Sequence, residues 1–170
     1  MVFHNMESFR KALSFEWKML EETDWKLLEL VQQDARLSNQ EMAERVGLST
    51  SSCWRRLKAL EDSGVIRAYR AEVDAARAGL GFHALIHITL TRHAREVVER
   101  FTAEVMRHDE VLDCFATTGA MDYHLRVLCR DLEAFNAFME RTLFRIDGIA
   151  QVQTHLVLRP VKMRRVVPRP

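Results

Sequence analysis

The stretch SNQEMAERVGLSTSSCWRRLKAL, running from Ser38 to Leu60, holds two helix starts and one sharp helix stop. Ser38 with Glu41 reads as a capping box, in which the serine hydroxyl accepts from the backbone of the third helical residue and the glutamate reaches back. Met42, Ala43 and Val46 then face inward. Gly47 ends the helix, because glycine adopts positive φ without steric penalty. Leu48 leads into Ser49, a second N-cap. The helix it opens carries Cys53, Leu57 and Leu60 at i, i+4 and i+7, an apolar stripe at helical spacing. Gly64 terminates it. Two short helices joined by so tight a turn form a helix-turn-helix.

Upstream, Thr23 is expected to cap a first helix whose stripe is Leu27, Leu28, Leu30 and Val31, with Asp24 at its positive end. Asp34-Ala35-Arg36 closes it. Downstream, Val65–Val73 reads as a strand or β-wing. Charge runs along this region unevenly. Between Arg55 and Arg70 five bases (Arg55, Arg56, Lys58, Arg67, Arg70) face two acids (Glu61, Asp62), although the whole chain carries a net charge of only +1. A local basic stripe in a near-neutral chain fits an electrostatic footprint for nucleic acid. The DNA-facing set is therefore expected to be Ser49, Ser51, Ser52, Trp54, Arg55, Arg56, Lys58, Arg67 and Arg70. The N-terminal half of the helix would meet base edges and its basic side chains phosphates. Arg55 and Arg56 are the leading contacts.

After the connector Asp74–Leu80 the periodicity changes. Phe82, Ala84, Ile86, Ile88 and Leu90 alternate with His83, Leu85, His87 and Thr89, the period-two pattern of a strand. Val98, Phe101 and Val105 recur at helical spacing. Val111–Thr118 reads as a strand, Gly119-Ala120-Met121 as a turn, and Tyr123, Leu125, Val127 and Cys129 alternate again. Asp131 caps a helix with Leu132, Phe135, Phe138 or Met139, and Leu143. Asp147-Gly148 turns into a last strand from Ala150 to Leu158. The order β-α-β-β-α-β makes a ferredoxin-like sandwich, so the fold class is α+β: a winged helix-turn-helix followed by that sandwich. The expected division is an N-terminal extension (1–19), a DNA-binding domain (20–73), a linker (74–80), the sandwich (81–160) and a basic tail (161–170). In the extension, Phe9, Leu13, Trp17 and Leu20 share a helical face. The tail either assists DNA binding or is disordered, and disorder is favoured. A sheet with both helices on one side leaves its other side open, and pairing two sheets would cover it, so a homodimer is expected.

Composition excludes several classes. With 48% hydrophobic and 29% charged residues the chain fits a globular protein. No apolar run approaches the roughly 20 residues of a membrane span, and no secretory signal is legible. Cys53, Cys114 and Cys129 form no CxxC pair, and free thiols suit a reducing cytoplasm. His83 and His87 stand four apart, but in a strand that spacing separates them by about 13 Å, too far to share one ion. No metalloprotease, phosphate-loop, dinucleotide or nucleophile-elbow motif occurs. Neither a catalytic residue, nor a metal site, nor a cofactor is expected.

The layout resembles the leucine-responsive regulatory protein / AsnC family, the feast/famine regulators. The resemblance is carried by Leu20 with Asp24, Leu27-Leu28, Gln33-Asp34-Ala35-Arg36, Glu41-Met42-Ala43, Val46-Gly47-Leu48-Ser49, Arg56–Glu61, Gly64-Val65-Ile66, Gly79-Leu80 and Thr118–Tyr123. It covers about residues 20–160. Glu21, Ala35 and Cys53 depart from the usual Asp, Gly and Val, and the stretch before Leu20 is longer than usual. The resemblance implies a transcription regulator that dimerises through its sheet, often in rings of eight, and commonly binds an amino acid between dimers around a Gly-x-x-Asp turn. Here that turn is Gly119 and Asp122, and the implied effector residues are Thr117, Thr118, Gly119, Met121, Asp122, Tyr123, Phe144 and His155. Glycine permits close approach of a ligand, and a carboxylate can pair with an ammonium. Two rivals share parts of this pattern. Siroheme decarboxylases resemble the two-domain layout, and an architectural DNA packager would use the same basic helix with weak specificity.

Overall fold

The computed structural model describes residues 20–163 and 166–170. Two compact units divide these residues: one holds the first helices together with the C-terminal tail, and the other runs from Val73 to Val161. The N-terminal stripe of Phe9, Leu13 and Trp17 lies outside the described residues.

The helical unit consists of α1 (Glu22–Gln33), α2 (Asn39–Val46) and α3 (Thr50–Asp62). The capping box at Ser38 forms as expected: Glu41 N donates to Ser38 Oγ at 3.2 Å, and Ser38 N donates to Glu41 Oε2 at 2.8 Å. Gly47 sits at φ 71°, and Leu48 N donates back to the Ala43 carbonyl at 2.9 Å. Ser49 Oγ accepts from Ser52 N and opens α3. Helix α1 starts earlier than its sequence suggests. Its cap is Glu21 rather than Thr23, because the Asp24 carboxylate accepts from the Glu21 backbone N–H at 3.2 Å and draws the first turn upstream. Leu27, Met42, Ala43, Cys53 and Leu57 form the core of this unit, with Leu37, Leu48 and Ile66 against it. Leu27 is fully buried, and its truncation to alanine would cost about 2–5 kcal/mol.

Val65–Val73 forms no strand. No other described strand lies in this unit to supply ladder partners, and the segment is fastened from its own side. Ile66 N donates to the Leu60 carbonyl, and the Tyr69 hydroxyl donates to Glu61 Oε1 at 2.8 Å. Burial first, and then the Glu61 carboxylate, push the Tyr69 phenol up to about 12. In the tail, Val167 N donates to Gln32 Oε1 on α1 at 2.7 Å.

The second unit is β1 (Phe82–Leu90), α4 (Arg95–Val105), β2 (Val111–Ala116), β3 (Tyr123–Cys129), α5 (Leu132–Arg141), a 3-10 turn (Leu143–Arg145) and β4 (Ile149–Leu156). The sheet order is β2-β3-β1-β4, antiparallel throughout, as a ferredoxin-like sandwich requires. The strands at Val111 and Ala150 are each two residues shorter at their C-terminal ends than their periodicity suggests, because the ladder stops at Ala116 and Leu156. Alternation along β1 sorts the faces cleanly. Ala84, Ile86, Ile88 and Leu90 are buried against Phe101 and Val105 of α4 and Phe135, Phe138 and Met139 of α5. Gly148 closes the turn into β4 at φ 98°, where an added Cβ would meet Val97 Cγ1 at 2.5 Å. Among the described residues, no helix lies on the other side of the sheet. Register places His83, Leu85, His87 and Thr89 there, opposite His124, Arg126 and Leu128 of β3 and Gln151, Gln153 and His155 of β4.

Candidate functional site

Helix α3 buries Cys53, Leu57 and Leu60, so its opposite stripe at i, i+4 and i+7 is Ser51, Arg55 and Lys58. Ser51, Trp54, Arg55 and Lys58 are all exposed, as are Arg67 and Arg70 in the segment that follows. Arg55 forms no ion pair with any described residue. Lys58 pairs with Asp62 at 2.9 Å, which raises its pKa, but both side chains are solvated and such a pair is worth little. A phosphate can replace Asp62 at small cost. Ser49 and Ser52 serve the helix start itself: their hydroxyls lie 2.9 Å apart and close the cap. Trp54 stands at the rim of a shallow cleft of about 310 Å³, shared with Val31, Leu37, Met42, Lys58 and Tyr69.

Arg56 differs from its neighbour. Its Nη1 donates to Asp24 Oδ1 at 2.9 Å and its Nη2 to Glu21 Oε2 at 2.8 Å. Those two carboxylates raise its pKa and tie the middle of α3 to the start of α1. Arg56, read from the sequence as a leading DNA contact, is engaged here as a clamp between α3 and α1. The physical reason is legible in hindsight: Arg56 stands three residues after Cys53 and four before Leu60, both buried, and the acids near Glu21 lie across from it.

The turn between β2 and β3 is built from its own backbone. Thr117 N donates to the Asp122 carbonyl at 2.9 Å, and the Thr117 hydroxyl donates to the Met121 carbonyl at 3.1 Å. Gly119 adopts φ 123°, open to glycine alone, and nothing lies within 4 Å of where its Cβ would be. The turn thus presents bare backbone to open space. Asp122 is already engaged. One carboxylate oxygen accepts from Leu90 N at 2.7 Å, and the other lies 2.7 Å from His93 Nε2. It fastens the end of β1 and the loop before α4. Sequence reasoning missed His93, since nothing in the linear pattern marks a residue 29 positions upstream as the aspartate's partner.

The remaining implied effector residues do not gather on this turn within one copy. Tyr123 points to the helical side and packs on Phe101, ring centres 4.5 Å apart. Burial raises its phenol. Phe144 is exposed on the 3-10 turn after α5. His155 pairs in register with Leu85, four residues along β1 from Thr89, whose hydroxyl contacts Met121. At strand spacing that separates His155 from the turn by about 13 Å. It stacks instead on His87, ring centres 4.8 Å apart. Thr118 and Met121 remain with the turn.

Comparison with known proteins follows the same division. Residues 20–67 match the winged helix-turn-helix DNA-binding family, and residues 83–167 match the Lrp/AsnC ligand binding domain. The DNA-binding transcriptional activator DecR of Escherichia coli is 36% identical over 150 residues, covering 88% of this chain and 99% of DecR. The leucine-responsive regulatory protein of Salmonella typhimurium is 34% identical over 145 residues, covering 85% of this chain and 88% of that protein. Among solved structures, a Neisseria meningitidis transcriptional regulator in complex with L-methionine superposes with a TM-score of 0.84 at 41% identity, covering 88% of this chain and 97% of that one.

Proposed function

The chain belongs to the Lrp/AsnC family of DNA-binding transcription regulators, and we propose that it reads a pseudo-palindromic operator with α3, as a homodimer or an octamer whose assembly responds to an amino acid. Its relatives are regulators and not enzymes, and the decarboxylase reading is set aside with them. The observation that carries the operator reading is the outward stripe of Ser51, Arg55 and Lys58, one turn from a capped helix N-terminus, with Arg55 free of any described ion pair. A helix N-terminus favours phosphate through its free backbone N–H groups. The arginine fork matches guanine or phosphate geometry. Arg67 and Arg70 extend the basic surface beyond the helix. Two copies related by a twofold axis would set half-sites about one or more helical turns apart.

The effector reading rests on the turn from Thr117 to Asp122. An amino acid offers a carboxylate to the Thr117 and Thr118 hydroxyls and the open backbone at Gly119, and an ammonium to Asp122 in competition with His93. The L-methionine complex of the N. meningitidis regulator supports an amino acid as the ligand class. An effector shifts assembly only by binding one state more tightly than another. We assign the protein to the cytoplasm because its target is DNA; none of the described helices is long and apolar enough to cross a membrane.

Two measurements test this. Fluorescence anisotropy should give tighter binding to duplex DNA from upstream of the protein's own gene than to random duplex of the same length at matched salt; equal affinities would point to an architectural packager. Sedimentation velocity with each amino acid, L-methionine first, should show a shift in assembly that Asp122→Ala abolishes. Unchanged assembly, melting temperature and DNA affinity with every amino acid would overturn the sensor.

A further inference from the structure

The open side of the sheet carries a row of three imidazoles. His87 on central strand β1 lies between His124 on β3, ring centres 4.4 Å apart at 66°, and His155 on β4, at 4.8 Å and 40°. Register explains the row, since His87 pairs directly with His124, and His155 pairs with Leu85 two residues along the same face. The described residues hold no group of side chains arranged to bind a metal ion.

Their surroundings are those of a face meant to be covered. From β1 the neighbours are His83, Leu85 and Thr89; from β3, Arg126; from β4, Gln151 and Gln153; from β2, Phe115 and Asp113. Arg126 and Asp113 are the only Arg, Lys, Asp or Glu among these strand positions, and they pair with each other. In a chain with 29% charged residues, that is a face purged of free charge. Phe115 and Leu85 are exposed on it. His83 Nε2 is buried with no described hydrogen-bond partner. Four strands with a nine-residue strand at the centre give a footprint of roughly 30 by 19 Å before side-chain relief, approaching the ~800 Å² per partner of a standard interface. The face is self-complementary in charge, so a second copy of this sheet fits it better than a charged partner does.

We infer that, in a homodimer paired through this face, the His87–His124–His155 row makes association depend on neutral rings, so that mild acid separates the copies. The inference rests on the homodimer reading and adds the control of that interface. Protonating His87 places a cation within 5 Å of two other rings, and pairing would then bury like charges against their counterparts across the twofold axis. The row already behaves this way in one copy: burial first, then the neighbouring His124 and His155, hold the His87 pKa below its usual value. Burial, and then Arg126, hold that of His83 down as well. The sign follows. A histidine whose pKa falls on assembly binds fewer protons in the dimer than in the free copy, so association strengthens as pH rises and is lost as pH falls below about 6.5.

The test is sedimentation velocity on the full chain without DNA, in EDTA, at pH 7.5 and 5.5, with circular dichroism to follow the fold. The wild type should dimerise at pH 7.5, and its dissociation constant should rise roughly tenfold or more at pH 5.5 while the circular dichroism spectrum is retained. His87→Gln should dimerise with most of that dependence removed. His155→Gln, at the exposed end of the row, should dimerise with part of it removed. A wild-type dissociation constant within about twofold at the two pH values would overturn the inference and leave the homodimer standing. So would full wild-type dependence in both variants, or unfolding at pH 5.5 in place of dissociation. A wild type that is monomeric at pH 7.5 would overturn the homodimer reading itself.

Discussion

The outward stripe of α3 and the open face of the sheet are each left bare by their own unit, yet they are built on opposite electrostatic plans. On α3 Cys53, Leu57 and Leu60 are turned in while Trp54 stays exposed, and the bare side keeps a cation, Arg55, that no described residue neutralises. On the sheet the formal charges cancel within a single pair, and the bare side keeps imidazoles, glutamines, Leu85 and Phe115. A surface that will meet phosphates must hold uncompensated positive charge in water, where it is cheap to keep and its long-range attraction steers encounter. A surface that will meet a copy of itself must avoid free charge, because every charge would face its own likeness across the twofold axis.

The largest expected effect comes from moving charge onto the wrong surface. Leu85→Glu puts a carboxylate at the centre of the sheet face, and pairing would bury two of them together. Dimer dissociation should rise by about tenfold or more, since Arg126 opposite position 85 offsets only part of the cost of burying the two carboxylates. Wild-type assembly in that variant would remove the sheet as the interface. Next is Arg55→Ala. If the guanidinium is bidentate to guanine, operator binding should weaken by roughly 1–3 kcal/mol and specificity relax at one position. If it meets phosphate, all duplexes should weaken alike and the salt slope fall by about one. Unaltered affinity and slope would take Arg55 out of the interface.

Arg56→Ala sharpens the contrast between adjacent arginines. Loss of the clamp to Asp24 and Glu21 should lower the stability of the helical unit by about 1 kcal/mol, since one partner is mostly buried and the other solvated. The salt slope of DNA binding should not change. A reduced slope at unchanged melting temperature would return Arg56 to the DNA-facing set. The gentlest probe is acid titration of the caps. The Glu41 carboxyl is held down by the Ser38 backbone N–H, and that of Asp131 by the Ala134 N–H. Groups whose pKa is lowered on folding stabilise above the ordinary carboxylate value. That contribution is lost as pH falls through the lowered one. Melting temperature should therefore decline below about pH 4, and Glu41→Gln should flatten the decline in the helical unit.

Much of this was legible in the linear pattern. Ser38, Glu41, Gly47 and Ser49 act within four residues of themselves, so their caps needed no tertiary knowledge. The alternation of Phe82–Leu90 settled which side of β1 would be dry. The wing segment shows the opposite case. Val65–Val73 has strand-like residues, but a strand exists only when another supplies its hydrogen bonds. Within one copy the effector set implied by the resemblance is divided between faces, because Tyr123 and His155 lie on opposite sides of the sheet.

By itself the sequence determined the order of elements, the helix caps, the buried stripe of α3 and the two-faced alternation of the strands, because each depends on residues a few positions apart. The tertiary structure alone decided that Arg56 is spent on Glu21 and Asp24 while Arg55 stays free, that Asp122 serves Leu90 and His93, and that three histidines more than thirty residues apart form one row. Those outcomes turn on which helix ends and strand registers meet in space, and sequence spacing carries no record of that.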